Sequence, residues 1–122
     1  MNLEISKPQI IPKKWGHEKI LGNLDFCGKI LFFDQKGNKL SNHFHIIKEE
    51  FFYFLNPFIF RYIDPTNAEL IEKKVEKGEV IFIPRGLCHQ VEALEDNSQI
   101  IEISSHDEPS DSYRVFPGDS QK

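Results

Sequence analysis

The chain has 122 residues, 39% hydrophobic and 28% charged, a length and balance that suit one globular domain with a modest core. Its net charge of −4 argues against a nucleic-acid partner, whose phosphates favour a basic face. No apolar run approaches the roughly 20 residues needed to span a bilayer, which excludes a membrane partner of that kind.

The first residues, MNLEISKPQ, lack the apolar stretch of about 7 to 15 residues that a secretory signal carries, so a cytoplasmic protein is expected. Residues 1–14 contain Pro8 and Pro12 and read as an extended arm along a sheet edge or a partner subunit. His17 reads as an exposed polar residue. Residues 25–33, DFCGKILFF, form a strand in which Lys29 shares a face with Leu31 and Phe33. A lysine there is costly unless its ammonium finds a partner, so either the stem snorkels to the rim or the cation binds substrate. Neither Cys27 nor Cys88 belongs to a C-x-x-C pair, and both are expected as buried thiols. Residues 34–38, DQKGN, are a turn by composition.

Residues 41–53, SNHFHIIKEEFFY, carry the densest chemistry. Side chains alternate across a strand, so His43 and His45 point the same way while Phe44 and Ile46 point the other. After Lys48 the chain turns into a second run, whose Glu49 or Glu50 could reach a metal held by the histidines. If Phe52 and Phe54 face inward with the ligand, the period of two selects Glu50. The run from Glu50 to Ile63 is aromatic on both faces, and Asn56-Pro57 splits it into two strands. One apolar face packs the interior; the other needs a second sheet or a second subunit, and a homodimer that buries residues 51–60 is expected. Residues 66–77, TNAELIEKKVEK, read locally as a helix, with Thr66 and Glu69 as a capping box and Gly78 as the stop. Residues 78–91, GEVIFIPRGLCHQV, run from a glycine turn through an apolar strand to Pro84 and Gly86, which deliver His89. Residues 99–104 give the last strand, and a polar tail follows from Ser105, expected to fray near its end.

The two motif stretches together resemble the sequence motifs of the cupin family, H-x-H-x(3,4)-E and G-x(5)-P-x-G-x(2)-H. The first fits His43, His45 and Glu50; the second fits Gly78, Pro84, Gly86 and His89. Asn56-Pro57 stands where the first motif closes on glycine, and Ala93 where the second often ends on asparagine. Neither departure touches a ligand position. The resemblance implies an all-β cupin double-stranded β-helix, a jelly-roll barrel in a single domain over residues 15–116. Residues 1–14 are then an N-terminal arm and 117–122 a C-terminal tail. In that fold residues 66–77 are a strand, and tertiary context is expected to override the helical pattern.

The resemblance also implies that His43, His45, Glu50 and His89 hold one divalent metal ion. Zinc, manganese, iron, nickel and cobalt all accept three imidazoles and one carboxylate, and one or two positions stay open for water or substrate. Imidazoles must be neutral to bind, so occupancy is expected to fall below about pH 6.5. An open metal in a barrel can polarise a carbonyl, as aldose–ketose isomerisation demands. Trp15-Gly16, Lys29, Leu40-Ser41 and the segment from Asp111 to Arg114 resemble the isomerase domain of bacterial mannose-6-phosphate isomerases over residues 12–116. That resemblance implies a sugar or sugar-phosphate isomerase with a carbohydrate substrate, in which Glu50, Lys29 and Arg114 are catalytic residues. The ending after Arg114, VFPGDSQK, departs from that group's acidic, arginine-containing end. An iron-dependent dioxygenase and a non-catalytic sugar-binding module are the alternatives. Lys29 and Arg114 facing the metal cavity would favour the isomerase, and a tight apolar cavity the oxygenase. Arg85, in the turn before His89, is expected to reach the rim.

Overall fold

The computed structural model describes residues 1–121. Eleven strands follow in chain order: β1 (Gln9–Lys13), β2 (Gly16–Asn23), β3 (Phe26–Phe33), β4 (Asn42–Phe44), β5 (Glu50–Phe54), β6 (Phe58–Ile63), β7 (Leu70–Val75), β8 (Val80–Ile83), β9 (His89–Ala93), β10 (Ser98–Ser105) and β11 (Tyr113–Phe116). A 3-10 turn, Asp119–Gln121, follows. All pairings are antiparallel, in a six-stranded sheet of order β1-β2-β3-β10-β5-β8 and a five-stranded sheet of order β11-β4-β9-β6-β7. The two sheets pack face to face, as the jelly roll requires. No helix among the described residues is long and apolar enough to cross a membrane.

Strict alternation sorts the inner from the outer residues. In β3 the buried positions are Cys27, Lys29, Leu31 and Phe33; in β10 they are Ser98, Ile100, Glu102 and Ser104. Trp15 stacks on Phe33 at 4.6 Å, Phe33 meets the edge of Phe58 at 5.1 Å, and Phe58 lies 5.5 Å from Phe54. This cluster joins the two sheets and fills one part of the interior. Gly16 is needed beside it: at φ 146° a Cβ would run into the Phe32 carbonyl.

Residues 70–75 form a strand, as the fold demanded, despite their helical pattern. Each residue of β7 pairs with β6, from Leu70 opposite Ile63 to Val75 opposite Phe58. The ladder to a neighbouring strand outweighs a propensity worth only tenths of a kcal/mol per residue, roughly 0.7 at most for ordinary residues. Asn56-Pro57 does separate β5 from β6. Part of the arm is ordered, since β1 pairs with β2 as the sheet's edge strand, where Pro12 is tolerated. The polar segment beyond Ser105 does more than fray. It folds back as β11 against β4, with Arg114 opposite His43.

The second aromatic face does not run over residues 51–60, because Phe58 and Phe60 belong to the other sheet and point into the core. The exposed apolar face lies on the six-stranded sheet. Phe51 and Tyr53 of β5 stand beside Ile103 and Ile101 of β10 and beside Phe82 and Val80 of β8.

Phe58 is fully buried at the junction of the sheets. Phe58→Ala should therefore lower unfolding stability by about 3 to 5 kcal/mol, the cost of a large core cavity. Urea unfolding of the variant checks this, and a loss below about 1 kcal/mol would mean that the junction is not packed as described.

Candidate metal centre

The second half of the interior is polar. His43 and His89 face each other across the β4–β9 pairing, and their rings lie 4.6 Å apart. His45 follows one residue beyond β4, its ring 4.9 Å from that of His43 and 5.8 Å from that of His89. One ligand atom from each histidine falls within 4.8 Å of the others. Glu50 opens β5 and points inward with Phe52 and Phe54, while Glu49 turns out to pair with Arg85 at 2.9 Å. The inward-facing carboxylate is thus that of Glu50. Glu50 Oε1 stands 3.1 Å from His89 Nε2 and 3.9 Å from His45 Nε2.

Each imidazole is oriented by a backbone carbonyl. Nδ1 donates to the Ser41 carbonyl from His43 (2.8 Å), to the Asp111 carbonyl from His45 (2.7 Å) and to the Leu87 carbonyl from His89 (2.8 Å). A carbonyl can only accept, so in the neutral rings Nδ1 carries the hydrogen and Nε2 keeps its lone pair. All three Nε2 atoms are thereby set up as ligands. His89 Nε2 and both Glu50 oxygens are buried with no hydrogen-bond partner; their short separations are not aligned as hydrogen bonds. Buried polar atoms left in this way carry a large cost, which a shared cation would remove.

Charge points the same way. Lys48 is buried, with Nζ 3.1 Å from Glu50 Oε2, 3.2 Å from Glu102 and 2.9 Å from Asp107. Lys29 Nζ lies 2.7 Å from Asp107 and 3.3 Å from Glu18. Four carboxylates, those of Glu18, Glu50, Glu102 and Asp107, thus meet three ammonium groups, since Lys13 also stands 3.9 Å from Glu18, and the balance leans negative, which favours a cation. The group fits the residues present.

The titration behaviour follows from this packing. Burial, followed by the neighbouring His89 and His45, pushes His43 down to about 3. Burial and the Lys48 charge likewise lower His45. Burial would raise Glu50, but the Lys48 ammonium beside it works the other way and the carboxyl is held below its ordinary range. Glu102 goes the other way, pushed up to about 7 by burial and then by the charge of Glu50. Burial works against both ammonium groups, yet Glu102 and the other carboxylates keep Lys29 and Lys48 charged above their usual range.

His43, His45, Lys48, Glu50 and Glu102 line a cavity of about 490 Å³ that also takes in Lys29, Arg114, Lys13 and Glu108, while His89 lies fully buried behind it. Lys29 and Arg114 therefore both border the cavity of the histidine cluster. Lys29 neither snorkels to the rim nor stands free, because Glu18 and Asp107 engage its ammonium. Arg85 does not border the cavity: it donates to the Ile47 carbonyl (2.7 Å) and pairs with Glu49. His17 stacks on Phe32 at 4.9 Å, outside the site. Cys27 is buried and Cys88 half-buried, and neither joins the cluster. Sequence reasoning missed Lys48, read as part of a turn, and also Glu18, Glu102 and Asp107. The one available signal was an inward glutamate in the apolar alternation of β10.

The family model of cupins matches residues 13–116. The chain belongs to the cupin family. No curated protein sequence matches it. Among solved structures it is similar to the capsular polysaccharide assembling protein CapF from Staphylococcus aureus, at 23% identity and a TM-score of 0.77, covering 89% of this chain and 34% of CapF. It is similar as well to oxalate decarboxylase from Bacillus subtilis, at 14% identity and a TM-score of 0.77, covering 88% of this chain and 30% of that one. At these identities the likeness is one of fold, and this cupin spans about a third of the length of either structure. The Bacillus enzyme is described as having Mn(II) centres.

Depressed imidazoles move proton competition for a metal below the pH of about 6.5 expected from free histidine. The metal-free protein should itself lose stability in acid. Unfolded His43 takes up a proton near the ordinary histidine value of 6.5 and folded His43 only near 3, so stability falls as pH drops through that window. The slope from this group is at most about 1.4 kcal/mol per pH unit. Glu102 acts in the opposite sense, since its folded form holds a proton up to about 7. Comparing chelator-treated wild type with His43→Gln isolates the histidine: the variant should lose less stability between pH 6 and pH 4, and parallel curves would refute the assignment.

Proposed function

We propose that this cupin is a metal-dependent enzyme acting on a sugar or sugar phosphate as an aldose–ketose isomerase. The observation that carries the reading is the polar cavity around the histidine cluster, bordered by both Lys29 and Arg114. A wholly apolar cavity would have favoured the iron-dependent dioxygenase, and this one is lined by lysines and carboxylates. His43, His45 and His89 through Nε2, together with Glu50, would hold the ion. Bound there, a divalent metal would polarise the substrate carbonyl.

The protein's own groups divide the remaining work. Glu18, Glu102 and Asp107 offer carboxylate oxygens that accept hydrogen bonds from sugar hydroxyls. Isomerisation moves a proton between adjacent carbons, and a carboxyl titrating near neutrality can both take it up and return it. Glu102, pushed up to about 7, suits that role better than Glu50, whose carboxyl is held low beside the histidines. Lys29 keeps Glu18 and Asp107 in place. Arg114, opposite His43 on the neighbouring strand, supplies a cation for a phosphate. A cytoplasmic setting, with both cysteines free, belongs to the same reading.

The protein is further proposed to act as a homodimer. On the outer face of the six-stranded sheet, Ile30, Ile101, Tyr53 and Val80 form one cross-strand row, and Ile103, Phe51 and Phe82 form the next. Phe51, Val80, Phe82 and Ile103 are each about half exposed or more. An uncharged patch across four strands is unusual on a soluble monomer, and a second copy offers the same patch in return.

Arg114→Ala should lower kcat/KM on a hexose phosphate by roughly ten- to a hundredfold, the worth of one charge-assisted contact, with metal content unchanged. Equal activity in wild type and variant, or no proton exchange at the sugar's second carbon with any of a panel of aldose and ketose phosphates, would defeat the isomerase proposal. For the dimer, sedimentation at micromolar concentration should show twice the 14.3 kDa chain mass, and Ile103→Lys should return it to 14.3 kDa. Wild type sedimenting as 14.3 kDa alone would count against it.

A further inference from the structure

The four proposed ligands are not held in the same way. His43 and His89 lie within paired strands and are register partners across them. Glu50 begins β5 and pairs with Ser104 and Ile83. His45 belongs to no strand: it starts the connection of residues 45–49 between β4 and β5. No ladder fixes its backbone. Ile46 and Ile47, the next residues, are more than half exposed, so apolar packing does not fix the connection either.

Arg85 Nε donates to the Ile47 carbonyl (2.7 Å) and the Ser105 N–H to the Glu49 carbonyl (3.1 Å), but most of the connection's own N–H groups are taken up by one residue from further along the chain. Asp111 is only 3% exposed, and its carboxylate accepts hydrogen bonds from three consecutive backbone N–H groups. Oδ1 accepts from Ile46 (2.9 Å) and Ile47 (3.2 Å), and Oδ2 from Ile47 (3.1 Å) and Lys48 (3.0 Å). The backbone carbonyl of the same residue accepts from His45 Nδ1 at 2.7 Å. The Gly86 N–H, donating to the His45 carbonyl at 2.7 Å, is the other constraint on this histidine. Asp111 therefore sets both the path of the connection and the direction of the His45 ring. By fixing the backbone of Lys48 it also aims the ammonium that stands beside Glu50. Burial works against the Asp111 charge, but the three N–H donors outweigh it and hold the carboxyl below its ordinary range.

We infer that Asp111 is a positioning residue of the metal centre, governing metal affinity through His45 and Lys48 without touching the ion. The inference rests on the metal reading and goes beyond it, because Asp111 lies outside both sequence motifs. It acts as the orienting partner of a ligand, a class of residue whose loss typically weakens metal binding about 10- to 100-fold.

The test uses the full chain, stripped of metal and titrated with cobalt(II) alone. Visible absorption reports both affinity and coordination geometry. Asp111→Ala should bind cobalt(II) about 10- to 100-fold more weakly than wild type and shift the ligand-field bands. Asp111→Asn keeps one acceptor oxygen and should fall between the two; it decides the matter if the alanine variant does not fold. Asp119→Asn is the control for a merely structural tail contact. Its carboxylate accepts from Lys39 N and Asn38 Nδ2, away from the ligands, so its loss should leave affinity and spectrum unchanged. Folded Asp111 variants that bind cobalt(II) as tightly as wild type, with the same spectrum, overturn the inference alone. Wild type that takes up no cobalt(II) overturns the metal reading and this inference with it.

Discussion

Burying charge inside an all-β core is the constraint on which the polar half of this protein depends. A lysine ammonium or a carboxylate taken out of water costs several kcal/mol unless it is paired, by order-of-magnitude estimate. Here Lys48 meets Glu50, Glu102 and Asp107 at once, and Lys29 closes the network through Asp107 and Glu18. Removing one member would strand the others, so the network behaves as a unit. Its geometry also explains why Lys29, which looks like a substrate-binding cation, is committed together with Lys48 to holding carboxylates in place.

The interior is thereby divided. Around Phe33, Phe54 and Phe58 the two sheets are joined by aromatic packing, which supplies the apolar burial that a small domain needs. Around Glu50 they are joined by hydrogen bonds and ion pairs. His89 sits at the boundary, its ring 6.2 Å from and nearly parallel to that of Phe60 and 6.1 Å from that of Phe52, which it meets edge-on. The aromatic half fixes the ring from which the polar half takes a ligand.

Much of this was legible in the sequence where period and turn chemistry determine direction. The His-x-His spacing brings His43 and His45 together even though His45 lies one residue beyond β4, and a period of two turns Glu50 rather than Glu49 inward. Pro84 and Gly86 bend the chain toward His89, and Gly86, at φ 81°, has the backbone conformation that glycine favours. What stayed hidden depends on register between distant strands. Glu102 meets the site because β10 pairs with β3 so that Glu102 lies opposite Lys29. Asp107 and Asp111 look like parts of a polar tail, and their roles come from contacts with residues some sixty positions earlier. Lys48 looks like a turn residue because its partners are also distant. Local pattern carries the ligands; long-range pairing carries everything that holds them.

That separation has a consequence for how the protein comes into being. Asp111 and the Ile46 N–H it accepts from are 65 residues apart in the chain, and Lys48 and Asp107 are 59 apart. Contacts of such span close late, because the entropy of a long loop must be overcome first. On the ribosome the histidines emerge well before the aspartate that orients one of them, so the nascent chain carries imidazoles without a finished cage. The proposed ion site is therefore complete only at the last stage of folding, when the segment after β10 docks, and not when the histidines are made.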